Sequence, residues 1–140
     1  MAAAAFVHDE RVRFAHCDPA GIVFFPQYLV MLNTLVERWF DDGLGISYAD
    51  FVIQRRLGLP TVRLECDFVA VSRFGERLTQ RLAVENVGRS SLAVRAEFFG
   101  GDELRARFHQ VLVCTCLATH RPLALPDDVR AALARYVGVP

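Results

Sequence analysis

The hydrophobic pattern changes rhythm part-way along this chain. From Tyr28 to Phe40 the apolar residues Tyr28, Leu29, Leu32, Leu35, Val36, Trp39 and Phe40 recur every three to four positions. That spacing predicts a helix. Val30 and Met31 widen the apolar surface, so the helix is expected to be buried on most sides. Pro26 suits its first turn, where a missing N–H costs nothing. Gly43 and Gly45 set its stop near Asp42. After Gly58 the period becomes two. Val62, Leu64, Cys66, Phe68 and Ala70 alternate with Arg63, Glu65, Asp67 and Val69. Leu78, Leu82 and Val84 mark the next strand, and Leu92, Val94, Ala96 and Phe98 another. Leu104 to Cys116 reads as one long last strand. Arg73-Phe74-Gly75, Asn86-Val87-Gly88 and Gly100-Gly101 supply the turns of an antiparallel meander.

His8 to Ala15 reads as a strand before the helix. Ser47 to Arg56 predicts a short second helix, with Ser47 as cap and Asp50 three residues on. Pro126 to Tyr136 predicts a closing helix. The expected architecture is α+β: a long helix wrapped by a curved antiparallel sheet of about five strands. A length of 140 residues suits a single domain over 1–140. A curved sheet leaves edges, and small α+β proteins cover them by pairing with copies of themselves. A homo-oligomer, dimer or tetramer, is expected.

Composition removes several function classes. Net charge is zero, from 16 basic and 16 acidic residues, so neither a nucleic-acid surface nor a polybasic membrane anchor is expected. Every basic residue is Arg, which excludes Lys Schiff-base chemistry and a P-loop Lys. Any anionic ligand must be held by Arg. Cys17, Cys66, Cys114 and Cys116 match neither a zinc site nor a disulfide scaffold. They read as small core residues in a reducing compartment, with Cys114 and Cys116 on one strand face. The start MAAAAFVHDE lacks the basic and apolar regions of a secretory signal, and no apolar run is long enough to span a membrane. A cytoplasmic location is expected.

The candidate chemistry lies in HCDPAGIVFFPQY, His16 to Tyr28. It places one carboxylate, Asp18, in an otherwise apolar segment. Asp at a turn ordinarily caps backbone amides. A carboxylate just before a helix can also act on a substrate. Pro26 has no N–H, so the free amides of the helix start belong to Phe25, Gln27 and Tyr28. Such amides, with the positive end of the helix dipole, form an anion site. Gly21 lets the loop approach a ligand closely. Cys17 points to the opposite face from Asp18, and His16 flanks the site.

Cys17-Asp18-Pro19-Ala20-Gly21-Ile22-Val23 followed by Phe25-Pro26-Gln27-Tyr28 resembles the opening motif of the hotdog-fold acyl-CoA thioesterases, in particular the 4-hydroxybenzoyl-CoA thioesterase family. The likeness continues through Gly58-Leu59-Pro60-Thr61-Val62, Cys66-Asp67-Phe68 and the turn Gly88-Arg89-Ser90-Ser91. It implies a hotdog fold and hydrolysis of an acyl-CoA thioester, from 4-hydroxybenzoyl-CoA or benzoyl-CoA to a short acyl-CoA. It implies that Asp18 is the catalytic carboxylate, as nucleophile or general base, and that the Phe25 amide polarises the thioester carbonyl. Gly21, Tyr28 and Asn33 would meet the substrate, and Arg89, Ser90 and Ser91 would meet coenzyme A. Asn33 stands where the family has an Asp that binds the substrate hydroxyl; an amide keeps a hydrogen bond but gives up its charge assistance. No metal or redox cofactor is implied, since coenzyme A arrives as part of the substrate. Two other readings stay open: a non-catalytic acyl-CoA or aromatic-ligand binder, and a 3-hydroxyacyl thioester dehydratase on the same fold.

Overall fold

The structure is a computed structural model that describes residues 5–137. It opens with strand β1 (Phe6–Arg11) and a single tight turn of helix at Phe14–His16. The predicted first strand therefore ends early, and Ala15 lies in the helical turn. Helix α1 (Phe25–Arg38) follows and continues as a wider turn over Trp39–Leu44. Gly45, with φ of +70°, stops it in the left-handed conformation that favours glycine. Helix α2 (Tyr48–Ile53) comes next, capped as expected: the Ser47 hydroxyl accepts the Asp50 N–H at 3.1 Å.

Strands β2 (Leu57–Gly58), β3 (Thr61–Phe68), β4 (Arg77–Val87), β5 (Ser91–Gly100), β6 (Glu103–Val113) and β7 (Thr115–Cys116) lead to helix α3 (Asp127–Leu133). Four of them join β1 in one antiparallel sheet in the order β1-β4-β5-β6-β3, while β2 pairs with β7. Two expectations are corrected here. The meander holds for β4-β5-β6, but β3 crosses over to pair with β6, because residues 69–76 form a long link with buried Ser72 in it rather than a hairpin turn. The long last strand breaks at Cys114, so Cys114 and Cys116 do not share one strand.

The core lies between α1 and the concave face of the sheet. Met31, Leu32, Leu35, Val36, Trp39 and Phe40 from the helix meet Leu78, Leu82, Val94, Phe98 and Phe108 from the strands. Along β5 the period-two pattern is complete: Leu92, Val94, Ala96 and Phe98 are buried. The helix is not buried all round, however. Val30, Asn33 and Glu37 are exposed in the single chain, and so are Val62 and Phe68 on the edge strand β3. No described helix is long and apolar enough to cross a membrane. Leu35 has no exposed surface, so Leu35→Ala is expected to cost about 2–5 kcal/mol of stability, read by urea denaturation.

Candidate active site

Local sequence builds the loop that carries Asp18. Asp18-Pro19-Ala20-Gly21 has the residues a β-turn favours at each position, and it closes with the Gly21 N–H donating to Asp18 O at 2.9 Å. Gly21 has φ of +75°, which a side chain would strain. Asp18 N–H donates to Ile22 O at 3.0 Å, Cys17 pairs with Val23, and Phe24 N–H donates to His16 O at 2.9 Å. His16 to Phe24 is thus a small closed hairpin. Within it Asp18 Oδ1 accepts the Ala20 N–H at 2.9 Å. Oδ2 accepts no hydrogen bond among the described residues. The carboxylate therefore caps its own turn with one oxygen and keeps the other free.

The hairpin feeds directly into α1. Phe24, at the cap position, offers no side-chain acceptor. Gln27 N–H donates to Phe24 O at 2.8 Å, so it is not free as the sequence suggests. Tyr28 is the fourth helical residue, where the helix ladder takes up the N–H. Pro26 has none. Phe25 N–H is left as the amide without a partner among the described residues, at the positive end of the helix.

Two clefts run beside α1. One of about 200 Å³ is lined by Val23, Phe25, Tyr28, Phe68 and Val71, among others. Phe25 and Phe68 are 57% and 47% exposed and stand 5.9 Å apart between ring centroids. The other, about 380 Å³, lies between the middle of α1 and the sheet edge, lined by Leu29, Asn33, Thr61, Leu64 and Gln110. Gln110 Nε2 donates to Thr61 Oγ1 at 2.8 Å, while its Oε1 is buried without a partner. If the amide is turned over, the other end is the one left unpaired. Sequence reasoning missed Gln110 as a lining residue of this cleft; its signal was a polar residue at an inward position between Phe108 and Leu112.

Asp18 lines neither cleft within one chain. Arg89, Ser90 and Ser91 sit at the β4–β5 turn, at the far end of β4 from the Asp18 hairpin, roughly 30 Å along the strand at its usual rise. The Arg89 side chain is exposed and makes no ion pair among the described residues. Two neighbours of Asp18 have structural work instead. His16 Nδ1 accepts the Arg13 N–H at 2.9 Å, and burial pulls its pKa down. Burial pushes the Cys17 thiol up, with Asp18 adding to the effect, which disfavours a thiolate. Among the described residues no cluster of His, Cys, Asp and Glu is arranged to hold a metal.

Residues 12–133 match the model of the Thioesterase-like superfamily. The chain belongs to that superfamily. As a member it is a thioester hydrolase on the α+β hotdog fold. A 1,4-dihydroxy-2-naphthoyl-CoA hydrolase of Synechocystis is 26% identical over 130 residues, covering 91% of this chain and 94% of the relative. A 4-hydroxybenzoyl-CoA thioesterase of Pseudomonas is 30% identical over 88 residues, 62% of either chain. The solved 1,4-dihydroxy-2-naphthoyl-CoA thioesterase of Synechocystis superposes with a TM-score of 0.85 at 26% identity, covering 94% of this chain and 96% of its own.

Behind the hairpin, the thioesterase holds a buried polar network that the sequence pattern did not reveal. Arg105, only 6% exposed, reaches from β6 into the link between β3 and β4. Its Nη1 donates to Val71 O at 2.9 Å and to Glu76 Oε1 at 3.0 Å, and its Nη2 donates to Glu76 Oε2 at 2.9 Å. Its Nε lies 2.7 Å from Glu103 Oε1, an ion contact at an angle too bent for a hydrogen bond. A Cβ at Gly100 would collide with the guanidinium, so glycine makes room for it. The Arg105 hydrogen bonds, then the Arg73 N–H at 2.6 Å, hold the Glu76 carboxyl down at about 2. A Glu ordinarily titrates near 4.5. The pair thus stabilises the fold fully above about 4.5, and that contribution is lost as pH falls through about 2. Glu76→Gln is expected to lower stability clearly at pH 7, and the gap from wild type should close as urea melts are repeated from pH 4.5 downwards. A gap independent of pH would contradict the assignment.

Proposed function

We propose that this thioesterase hydrolyses an aryl-CoA thioester at the junction of the Asp18 hairpin and α1. The observation that carries this reading is the pairing of two unsatisfied groups on one short stretch: Asp18 Oδ2, free to act, and Phe25 N–H, free to donate. Hydrolysis needs both, an attacking or activating carboxylate and a donor where negative charge develops on the carbonyl oxygen. As nucleophile, Asp18 would attack the thioester carbon, the oxyanion would rest on Phe25 N–H, and the C–S bond would break to release the CoA thiolate. Water would then cleave the mixed anhydride. As general base, Asp18 would take a proton from water, the resulting hydroxide would attack the same carbon, and the C–S bond would break to release the CoA thiolate and the free acid.

The aryl preference rests on the exposed faces of Phe25 and Phe68 and on the groove beside Asn33. Asn33 and the unpaired end of the Gln110 amide would receive a ring hydroxyl, which can donate or accept. The relatives named for hydroxylated aryl thioesters agree with that choice. Tyr28 and Gly21 shape the mouth. Arg89, Ser90 and Ser91 lie too far along β4 to serve Asp18 of their own chain, so they would hold coenzyme A phosphates at a neighbouring subunit's site. That arrangement needs a homo-oligomer. The exposed edge of β3, with Val62 and Phe68, offers the pairing surface. Light scattering after gel filtration should give a dimer or tetramer mass, and a monomer would remove this part of the proposal. No metal or redox group enters the proposed reaction.

The Asp18 Oδ1–Ala20 bond favours one other reading, a binder in which Asp18 only caps its turn. Thiol release separates the two. Wild type is expected to free thiol from 4-hydroxybenzoyl-CoA, 1,4-dihydroxy-2-naphthoyl-CoA or benzoyl-CoA. Asp18→Asn should lose about 100-fold or more in kcat, as expected for removal of an acid–base group. Binding without thiol release, or a variant as fast as wild type, would move the binder ahead.

A further inference from the structure

We infer that Ser72 is a positioning post for the site: it ties the Asp18 hairpin and the first turn of α1 to one buried point. Ser72 is fully buried in the link between β3 and β4. Its backbone carbonyl accepts the Val23 N–H at 2.9 Å, which holds the outgoing arm of the hairpin. Its hydroxyl accepts the Tyr28 O–H at 2.9 Å, which holds the first turn of the helix. The carboxylate lies on the hairpin and the amide opens the helix, and Ser72 holds a neighbour of each, Val23 and Tyr28.

The post is itself anchored. Arg105 Nη1 lies 3.4 Å from the Ser72 hydroxyl and donates to the Val71 carbonyl beside it. The Glu76 carboxylate fixes that guanidinium from the other side of the link. Two more contacts run from the link to the hairpin: Phe74 N–H donates to Gly21 O at 2.9 Å, and Ile22 pairs with Arg73. A short surface hairpin is mobile by default. Here a part-buried ion pair holds the link, the link holds the hairpin, and one hydroxyl extends the same frame to the helix.

The chemical need for this is geometric. An attacking atom and an oxyanion donor act together only when both are held near their working positions, and a misplacement of about 1 Å can cost about 100-fold in rate. Tyr28 packs its ring against Phe68, at 5.7 Å and 25° between planes, so the ring stays in place without its hydroxyl. The O–H bond to Ser72 is then left to set the register of the helix start against the hairpin. A buried tyrosine that merely satisfies its hydroxyl would contribute to stability and nothing else.

The inference rests on the proposed roles of Asp18 and Phe25, and the test separates the two. Tyr28→Phe, Ser72→Ala and their double are made in the full chain beside Asp18→Asn. Thiol release from the aryl-CoA that wild type hydrolyses fastest gives kcat and KM, and thermal melts report folding. Tyr28→Phe and Ser72→Ala are each expected to lose about tenfold in kcat, with KM within about twofold of wild type. The double should be no slower than the slower single, because both remove the same bond. Melts lowered with kcat within about threefold of wild type would overturn the inference, as would losses that multiply in the double. If Ser72→Ala does not fold, Tyr28→Phe decides by its split between kcat and KM. An active Asp18→Asn, or a wild type that cleaves no aryl-CoA, would remove the proposed function and this inference with it. An inactive Asp18→Asn beside fully active Tyr28→Phe would remove the inference alone.

Discussion

The apolar stripe of α1 must be covered, and the concave sheet is what covers it. Leu35, Trp39 and Phe40 have no exposed surface, and they pack into a layer that includes Phe98 and Phe108. This burial is non-directional, but it fixes a directional object. Once the stripe is seated, the helix axis and the position of its first turn are set. The unpaired Phe25 amide then has a fixed address. Phe24 supplies no side-chain cap, and its carbonyl takes the Gln27 N–H instead, so the Phe25 N–H keeps no partner among the described residues.

The Asp18 hairpin solves the complementary problem. A carboxylate near apolar surface is costly unless it is hydrogen-bonded. Asp18 meets that demand locally, with Oδ1 on the Ala20 amide. One oxygen is therefore enough for the turn, and the second accepts no hydrogen bond among the described residues. The proposed catalytic use of this residue does not compete with its structural one, because the carboxylate has two oxygens. The charges that stabilise the surroundings lie elsewhere, on Arg105 and Glu76, where bidentate geometry repays their desolvation.

Much of the fold was legible because periodicity reports burial. The inward positions of β5 and the extent of α1 follow directly from their spacing in the sequence. The crossover of β3 was not legible. Alternation tells which face of a strand is apolar, not which strand lies beside it, and consecutive strands are neighbours often enough to mislead. The open face of α1 was misjudged for a related reason: Val30 is apolar yet exposed in one chain, and composition does not say whether a neighbouring chain covers it. At the site, turn residues and Pro26 carry local information that pointed to Asp18 and to the amides of Phe25, Gln27 and Tyr28, and the family resemblance singled out Phe25. Ser72, Arg105 and Gln110 carried almost none. Their partners lie 29 to 49 positions away in sequence, at Glu76, Tyr28 and Thr61, and long-range hydrogen bonds leave no local pattern.

Both proposed roles turn on where a thioester carbonyl sits. A crystal soaked with a hydroxyphenacyl-CoA thioether would test it most directly, since that compound keeps the carbonyl and cannot be hydrolysed. The carbonyl oxygen should lie about 3 Å from Phe25 N, the distance an oxyanion donor requires, with Asp18 Oδ2 facing the carbonyl carbon and the ring directed toward Asn33. A ligand seated elsewhere, with Phe25 N–H left to water, would contradict it.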